Sequence, residues 1–243
     1  MHIVKLNATA STNSYLREFC RKLNAKEDVL VWANEQTAGK GQIGTKWEAE
    51  PGKNLTFSVF KKVELLTANK QFYITMATSL AIFEILQNLN ITNISVKWPN
   101  DILAGREKIC GVLIESVIKN SKLSAVIIGI GLNVNQTKFY HAPRATSLKL
   151  QTGVHFELEE LLDKLIQQFY KYVDLITSGN LKILKASYED KLFRKEKAST
   201  FRTPEGAYFT GIIKGVSNYG KLIIQQEDEV FKEYAMKEIE LLY

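Results

Sequence analysis

Two apolar runs, 29–33 and 55–60, are joined by a stretch that cannot be a helix or a plain strand. It includes Gln36-Thr-Ala-Gly-Lys-Gly-Gln-Ile-Gly-Thr-Lys-Trp47, with three glycines (Gly39, Gly41, Gly44) and two lysines (Lys40, Lys46) within eight residues. The flanking runs read as strands, the second by alternation. The chain is therefore expected to hang a glycine-rich, basic loop from a sheet. Glycine lets backbone N–H groups approach a ligand and adopt positive φ. With lysine charge nearby, such a loop suits a phosphate or carboxylate, although it also fits a solvated surface turn.

The rest of the chain supplies elements for that sheet to pack against. Residues 2–6 read as a short strand, followed by Ser11-Thr12-Asn13-Ser14, a helix-capping cluster that can also hold a polar ligand. Leu16, Phe19, Cys20 and Leu23 give the next helix its apolar face. A long buried helix is expected over 72–89, and a strand over 94–98 that breaks at Pro99. Lys97 and Trp98 close that strand, with Asn100 and Asp101 in a turn at its mouth. A lysine in an apolar strand needs a partner, a ligand, or an edge from which to reach water. Lys108 opens the next strand, 108–115, and a turn around Asn120 leads to a strand over 123–135. There Gly129, Gly131 and Asn133 alternate. No helix follows, so this is not a dinucleotide fingerprint; alternating small residues suit a flat patch where a ligand lies close to the backbone.

Two leucine-rich helices, beginning near 158 and 181, are expected to be core. Around 191–198 the pattern turns charged and irregular, and short strands follow near 199–202, 207–216, 222–226 and 230–235. The expected organisation is one domain over 1–192 and a small β-barrel over 193–243 that packs on it.

Composition narrows the function. The 243 residues carry a net charge of +6, yet the segment from Lys191 to Tyr243 holds nine basic and eight acidic residues. The barrel therefore lacks the basic stripe expected of a nucleic-acid binder. Cys20 and Cys110 lie in apolar surroundings, and His2, His141 and His155 are scattered, so neither a disulfide framework nor a zinc site is expected. With no signal-peptide pattern and no long apolar run, the expectation is a cytoplasmic protein with no membrane partner.

Taken in order, the Ser11-Thr12-Asn13 cluster, the glycine loop, Lys97-Trp-Pro-Asn-Asp101, Lys108-Ile-Cys-Gly111 and Gly129-Ile-Gly-Leu-Asn133 make the chain resemble a biotin–protein ligase. The resemblance runs from about Ser11 to Leu148 by motif and to the end by domain plan. It implies an α+β fold, a mixed-sheet catalytic domain followed by an SH3-like domain. Because the chain opens at the catalytic motifs, it resembles the short members without a DNA-binding winged helix.

The implied reaction has two steps. Biotin attacks the α-phosphate of MgATP to give biotinyl-5′-AMP, and a lysine of a biotin carboxyl carrier domain then displaces AMP. Lys108 and Lys40 are the implied catalytic cations. Ser11, Thr12, Asn13, Gln36, Gly39, Lys40, Gly41, Gln42, Lys108 and Gly111 match biotin-binding positions. Lys40, Gln42, Trp47, Lys97, Asn100, Asp101, Gly129, Gly131 and Asn133 match nucleotide-binding positions, with Asp101 as the candidate Mg²⁺ contact. Trp47 is expected on the loop or nucleotide, or in the core.

One departure stands out. The family loop often reads Gly-Arg-Gly-Arg-x-Gly, but here it is Gly39-Lys-Gly-Gln-Ile-Gly44. Lys40 keeps a charge without the arginine fork, and Gln42 keeps hydrogen bonding without charge. The resemblance leaves monomer and homodimer both open. A lipoate–protein ligase is the nearest rival, but its expected Arg-Arg-x-x-Gly-Gly-Gly loop is absent. A nucleic-acid-binding regulator is the rival from another class.

Overall fold

The computed structural model describes residues 1–42, 44–63, 68–119 and 122–243. Two antiparallel-rich sheets share one core. The elements of the first part are β1 (His2–Thr9), α1 (Thr12–Leu23), β2 (Val29–Gln36), β3 (Leu55–Lys62), α2 (Phe72–Asn88), β4 (Ile94–Lys97), β5 (Asp101–Ala104), β6 (Glu107–Lys119) and β7 (Lys122–Leu132). Then come α3 (Leu148–Thr152), α4 (Leu158–Thr177) and α5 (Leu181–Asp190). The second sheet uses β8 (Ala198–Arg202), β9 (Tyr208–Val216), β10 (Leu222–Gln225), β11 (Phe231–Tyr234) and β12 (Glu240–Leu242).

The first sheet runs β1-β2-β3-β7-β6-β5-β4, with β1 parallel to β2 and the other pairs antiparallel. It is covered on both faces. Leu30, Phe57, Val59, Val126, Ile128 and Ile130 join the large core with α2, α4 and α5. Val29, Val31, Phe60, Ala125 and Ile127 turn the other way and pack under Leu16 and Cys20 of α1. The alternation expected of β3 therefore separates two apolar faces, and all six residues from Leu55 to Phe60 are buried. Helix α2 is apolar nearly all round because α4 and α5 cover its outer side.

Helix α1 is short. Its N-terminus stops above the row containing Ser58 and Gly129, so the next row of the same face has no helix above it. That row can be read across five strands through paired residues: Thr56, Gly131, Gly111, Asp101 and Lys97. Sequence segments 40 residues apart thus become neighbours on one strip of sheet.

The second sheet, order β11-β10-β9-β8-β12, is the small antiparallel β-unit that was expected. Phe201, Ile213, Val216, Leu222 and Ile224 belong to the same core cluster as α2 and α5. Its Ser217–Gly220 turn sits on the start of α2. Gly220 has φ 82°, and a Cβ there would lie 2.3 Å from Phe72 Cγ. The Trp98 indole N–H donates to the Gly220 carbonyl (2.9 Å). The charged 191–197 segment is pinned: Val96 N–H donates to Lys191 O, Phe193 N–H to Val96 O, and Glu196 N–H to Ile213 O.

Several boundaries differ from expectation. Asp101 begins a strand instead of extending the turn, and β12 has no counterpart in the strands expected. Strand β7 ends at Leu132. Beyond it Asn133 and Asn135 use side-chain amides to bond main-chain carbonyls of Thr146 and Phe156, which halts the ladder. The turn expected around Asn120 lies outside the described residues. No helix among the described residues is long and apolar enough to cross a membrane.

Candidate active site

The hydroxyl cluster at the start of α1 serves the cavity beside it more than the helix. Ser11 occupies the N-cap in an extended conformation, but its side chain makes no capping bond. Gln36 of β2 does that work instead: its Oε1 accepts from the Thr12 N–H (2.8 Å) and the Thr12 hydroxyl (3.1 Å). Ser58 Oγ lies 2.7 Å from Thr12 Oγ1 and 2.6 Å from Asn13 Oδ1, and Asn13 Nδ2 donates to Glu115 Oε2 (2.8 Å). Arg17 holds the other Glu115 oxygen at 3.3 Å. The polar atoms of Thr12 and Asn13 are thus oriented by β2, β3 and β6 together.

The glycine loop folds as a tight hairpin. Gly41 N–H donates to Thr45 O (3.0 Å), Trp47 N–H to Gly39 O (3.0 Å), and Lys40 bridges Lys46. Of the three glycines, Gly44 takes positive φ (88°). Gly39 and Gly41 are required for close approach instead: a Cβ on Gly41 would meet Thr45 Oγ1 at 2.3 Å. The Gly41 and Trp47 N–H groups are thus donated across the hairpin. Positive charge near the cavity comes from side chains. Lys40 Nζ reaches Ser14 Oγ (2.7 Å), and Gln42 leans toward the second sheet, with Nε2 3.5 Å from Met236 Sδ.

The hairpin lays Trp47 on the uncovered strip. A Cβ on Gly131 would lie 2.3 Å from Trp47 Cε2, and one on Gly111 would lie 3.0 Å from Trp47 Cζ3. The flat patch expected at Gly129 and Gly131 is therefore present, with an indole on it and Asn13 over Gly129. Trp47 Nε1 is buried and has no hydrogen-bond partner.

Lys108 reaches this face through a β-bulge. Asp101 pairs with Gly111 and Ile102 with Cys110, but Leu103 pairs with Lys108, so Ile109 is an extra residue in β6. Strict alternation would place Lys108 with Cys110 on the core face; the bulge reverses it. Its Nζ is 2.6 Å from Asp101 Oδ1 and 5.5 Å from the Trp47 ring centroid. The main chain of Lys108 is clamped as well, N–H to Arg144 O (2.7 Å) and O from Thr146 N–H (2.9 Å). Cys110 stays on the core face, where burial pushes its thiol pKa well up; burial also raises Cys20, to about 11. Both thiols are protonated packing groups, as expected.

These parts enclose a cavity of about 210 Å³. Its lining holds Ser11, Thr12, Asn13 and Gln36, the glycines Gly111, Gly129 and Gly131, the Lys108–Asp101 pair with Asn100, and Lys40, Gly41, Gln42, Lys46 and Trp47 of the hairpin, with Lys40 Nζ on the Ser14 side. The cavity adjoins a larger, mostly apolar groove of about 880 Å³ toward the second sheet. Three expected residues are outside the cavity lining. Gly39 packs against the Trp47 main chain. Lys97 faces a third cleft, its Nζ 4.7 Å from the Tyr243 ring centroid. Asn133 is buried behind Lys108, donating to Thr146 O (2.9 Å), while its Oδ1 has no partner.

Lys46, noted with Lys40 as a source of loop charge, lines the cavity. Ser58, Glu115 and Thr45 are additions to the expected set. Ser58 left a trace, a hydroxyl in the middle of an apolar strand; Glu115 and Thr45 left none. Among the described residues no group of three or more His, Cys, Asp or Glu side chains could hold a metal. A cation here could draw on Asp101, whose Oδ1 already holds Lys108.

The cavity suits a ligand with a hydrogen-bonding head, a thin apolar body and an anionic tail. An α+β sheet carrying such a cavity, lined by lysines and by hydroxyl and amide side chains, defines a site for a small organic acid. The chain belongs to the biotin/lipoate A/B protein ligase family, whose model matches residues 6–133. It is 28% identical to the bifunctional ligase/repressor BirA of Bacillus spizizenii, over 96% of this chain and 72% of that protein. It is also 28% identical to the biotin–[acetyl-CoA-carboxylase] ligase of Paracoccus denitrificans, over 90% of this chain and 92% of that one. Among solved structures, the biotin protein ligase of Aquifex aeolicus in complex with biotin and ATP superposes with a TM-score of 0.81 at 26% identity, covering 99% of this chain and 98% of that one.

Proposed function

We propose that this chain activates biotin with ATP to biotinyl-5′-AMP and transfers the biotin to a lysine of a biotin carboxyl carrier domain. The observation that carries this reading is the bulge-directed Lys108, paired with Asp101 across the glycine floor from the Thr12–Asn13–Gln36 cluster. Biotin has one urea, an apolar bicycle and chain, and a carboxylate. The urea would bond the hydroxyl and amide cluster, the body would lie against the glycines and Trp47, and the carboxylate would face Lys108 and Lys40.

Bringing that carboxylate onto an α-phosphate forces like charges together. Lysine ammonium groups fixed at that point lower the barrier because they need no reorganisation as charge develops. The carboxylate oxygen bonds to phosphorus and pyrophosphate leaves. In the second step a carrier lysine, as the neutral amine, attacks the carbonyl carbon and the C–O bond to AMP breaks. Magnesium would arrive with the nucleotide, held by its phosphates, water and Asp101; a metal that keeps most of its waters needs few protein oxygens. Trp47 Nε1, buried without a partner, would donate to the nucleotide once the indole shifts. We assign residues 1–192 to the catalytic domain and 193–243 to the SH3-like domain. No observation favours lipoate transfer or nucleic-acid binding.

Biotin-dependent exchange of label between pyrophosphate and ATP tests the first step. Exchange that ignores biotin would reject the reading.

The Gln42 departure has its own consequence. Gln42 brings no charge to the adenylate and leans on Met236. Gln42→Arg is expected to slow release of biotinyl-AMP by about tenfold, the worth of one hydrogen bond to a charged group. An unchanged off-rate, measured by rapid dilution of the preloaded enzyme, rejects this.

A further inference from the structure

We propose that Glu115, held by Arg17, is a positioning residue that makes Asn13 present its carbonyl oxygen to the cavity, so that this part of the site requires an N–H from its ligand. The inference rests on the ligase reading and extends it to two residues with no assigned role.

Neither Glu115 nor Arg17 lines the cavity. Glu115 stands on β6 opposite Ile127, on the face that α1 covers, and it acts through Asn13. Its Oε2 accepts from Asn13 Nδ2 (2.8 Å), while its Oε1 lies 3.3 Å from Arg17 Nη2. An ionised carboxylate only accepts, and a guanidinium only donates. The Asn13 amide therefore has one way round, with NH2 toward Glu115 and the carbonyl on the other side.

That other side is the glycine floor. Asn13 Oδ1 lies 2.6 Å from Ser58 Oγ, and a Cβ on Gly129 would stand 2.5 Å from the same oxygen. Ser58 has one hydroxyl proton for two oxygens, Asn13 Oδ1 and Thr12 Oγ1 (2.7 Å). The Thr12 hydroxyl gives its own proton to Gln36 Oε1 (3.1 Å). Acceptor capacity is therefore left over beside the cavity, on side chains that are only 3% exposed. A buried acceptor that meets another acceptor, or a buried donor that meets a donor, costs more than one good hydrogen bond contributes. The direction of the Asn13 amide is thus a matter of specificity, and a urea N–H satisfies it.

Arg17 decides what a neutral group at 115 would do. In Glu115→Gln the guanidinium holds the oxygen of the new amide, which turns that amide's NH2 toward Asn13. Asn13 must then reverse and present its own NH2 to Ser58 and the floor. A urea N–H arriving there meets a donor. A carboxylate that served only as a counter-charge for the start of α1 would cause no such reversal.

The test is biotin-dependent ATP–pyrophosphate exchange in the full chain, with biotin and ATP varied in turn and a thermal melt of each variant. The side chains of Glu115 and Arg17 are 33% and 42% exposed, so the isosteric Glu115→Gln keeps the fold. That variant should raise the KM for biotin by about tenfold, the scale of one mismatched hydrogen bond, and leave the KM for ATP unchanged. Arg17→Met alone leaves the carboxylate facing Asn13, so its biotin KM should stay close to that of the unaltered chain. Adding Arg17→Met to Glu115→Gln frees the new amide to turn its oxygen to Asn13, and most of the lost biotin affinity should return. An unchanged biotin KM in Glu115→Gln overturns the inference. So does a rise shared equally by ATP, or a loss that Arg17→Met fails to repair. Absence of exchange in the unaltered chain would instead reject the ligase reading itself.

Discussion

Lys108→Ala is expected to stop adenylate formation while leaving the protein folded. The Lys108 ammonium is the cation that the bulge in β6 turns onto the glycine strip, and Asp101 steadies it at 2.6 Å. Removing one preorganised charge from a reacting centre costs about 10²–10³ in rate. Biotin-dependent exchange should fall by that order. Stability should change little. The Lys108 side chain is 36% exposed, and a half-exposed ion pair contributes on the order of 1 kcal/mol at most. Lys108→Arg should recover part of the rate because the charge returns with a different shape. Normal exchange in Lys108→Ala would show that another group neutralises the carboxylate and phosphate.

Gly131→Ala is expected to damage biotin binding more than its one added carbon suggests. The new Cβ would stand 2.3 Å from Trp47 Cε2 and 2.6 Å from Cζ2, with the main chain of β7 fixed by ladders on both sides. The indole has to lift, and the thin slot above the floor changes shape. Overpacking of this kind costs about 1–3 kcal/mol, so a drop in biotin affinity of roughly tenfold or more should accompany a lowered Tm. Calorimetric titration with biotin, alongside a thermal melt, separates the two effects. Unaltered affinity with a lowered Tm would mean that the glycine floor serves packing alone.

These two residues also mark how far the sequence could be read. Gly129 and Gly131 announce a flat strip, because small residues alternating in an apolar strand have few other uses. The helices at 72 and 158 were legible from apolar periodicity, and the strand–loop–strand around Gly39 from its flanks. Lys108 was legible as a motif member but not as a direction. Alternation from Gly111 aims it at the core, and only the pairing of Leu103 with Lys108 shows otherwise. Bulges and register belong to two strands at once, so no single segment reports them. Ser58 and Glu115 are hidden for a related reason: each holds Asn13 from more than 40 residues away in sequence. The glycine loop promises N–H groups for a ligand, but three of them, on Gly41, Thr45 and Trp47, close its own hairpin, a pairing that no local sequence signal reports. The second sheet was anticipated from short apolar runs; its junction at 191–197, ordered by β4 and β9, was not.

The most direct measurement is incubation with labelled biotin, ATP and magnesium, with and without an isolated carrier domain. The physical account predicts acid-stable label on one carrier lysine and release of AMP, both lost when ATP is omitted. Label that never leaves the small-molecule pool, or that reaches the carrier without ATP, would contradict it.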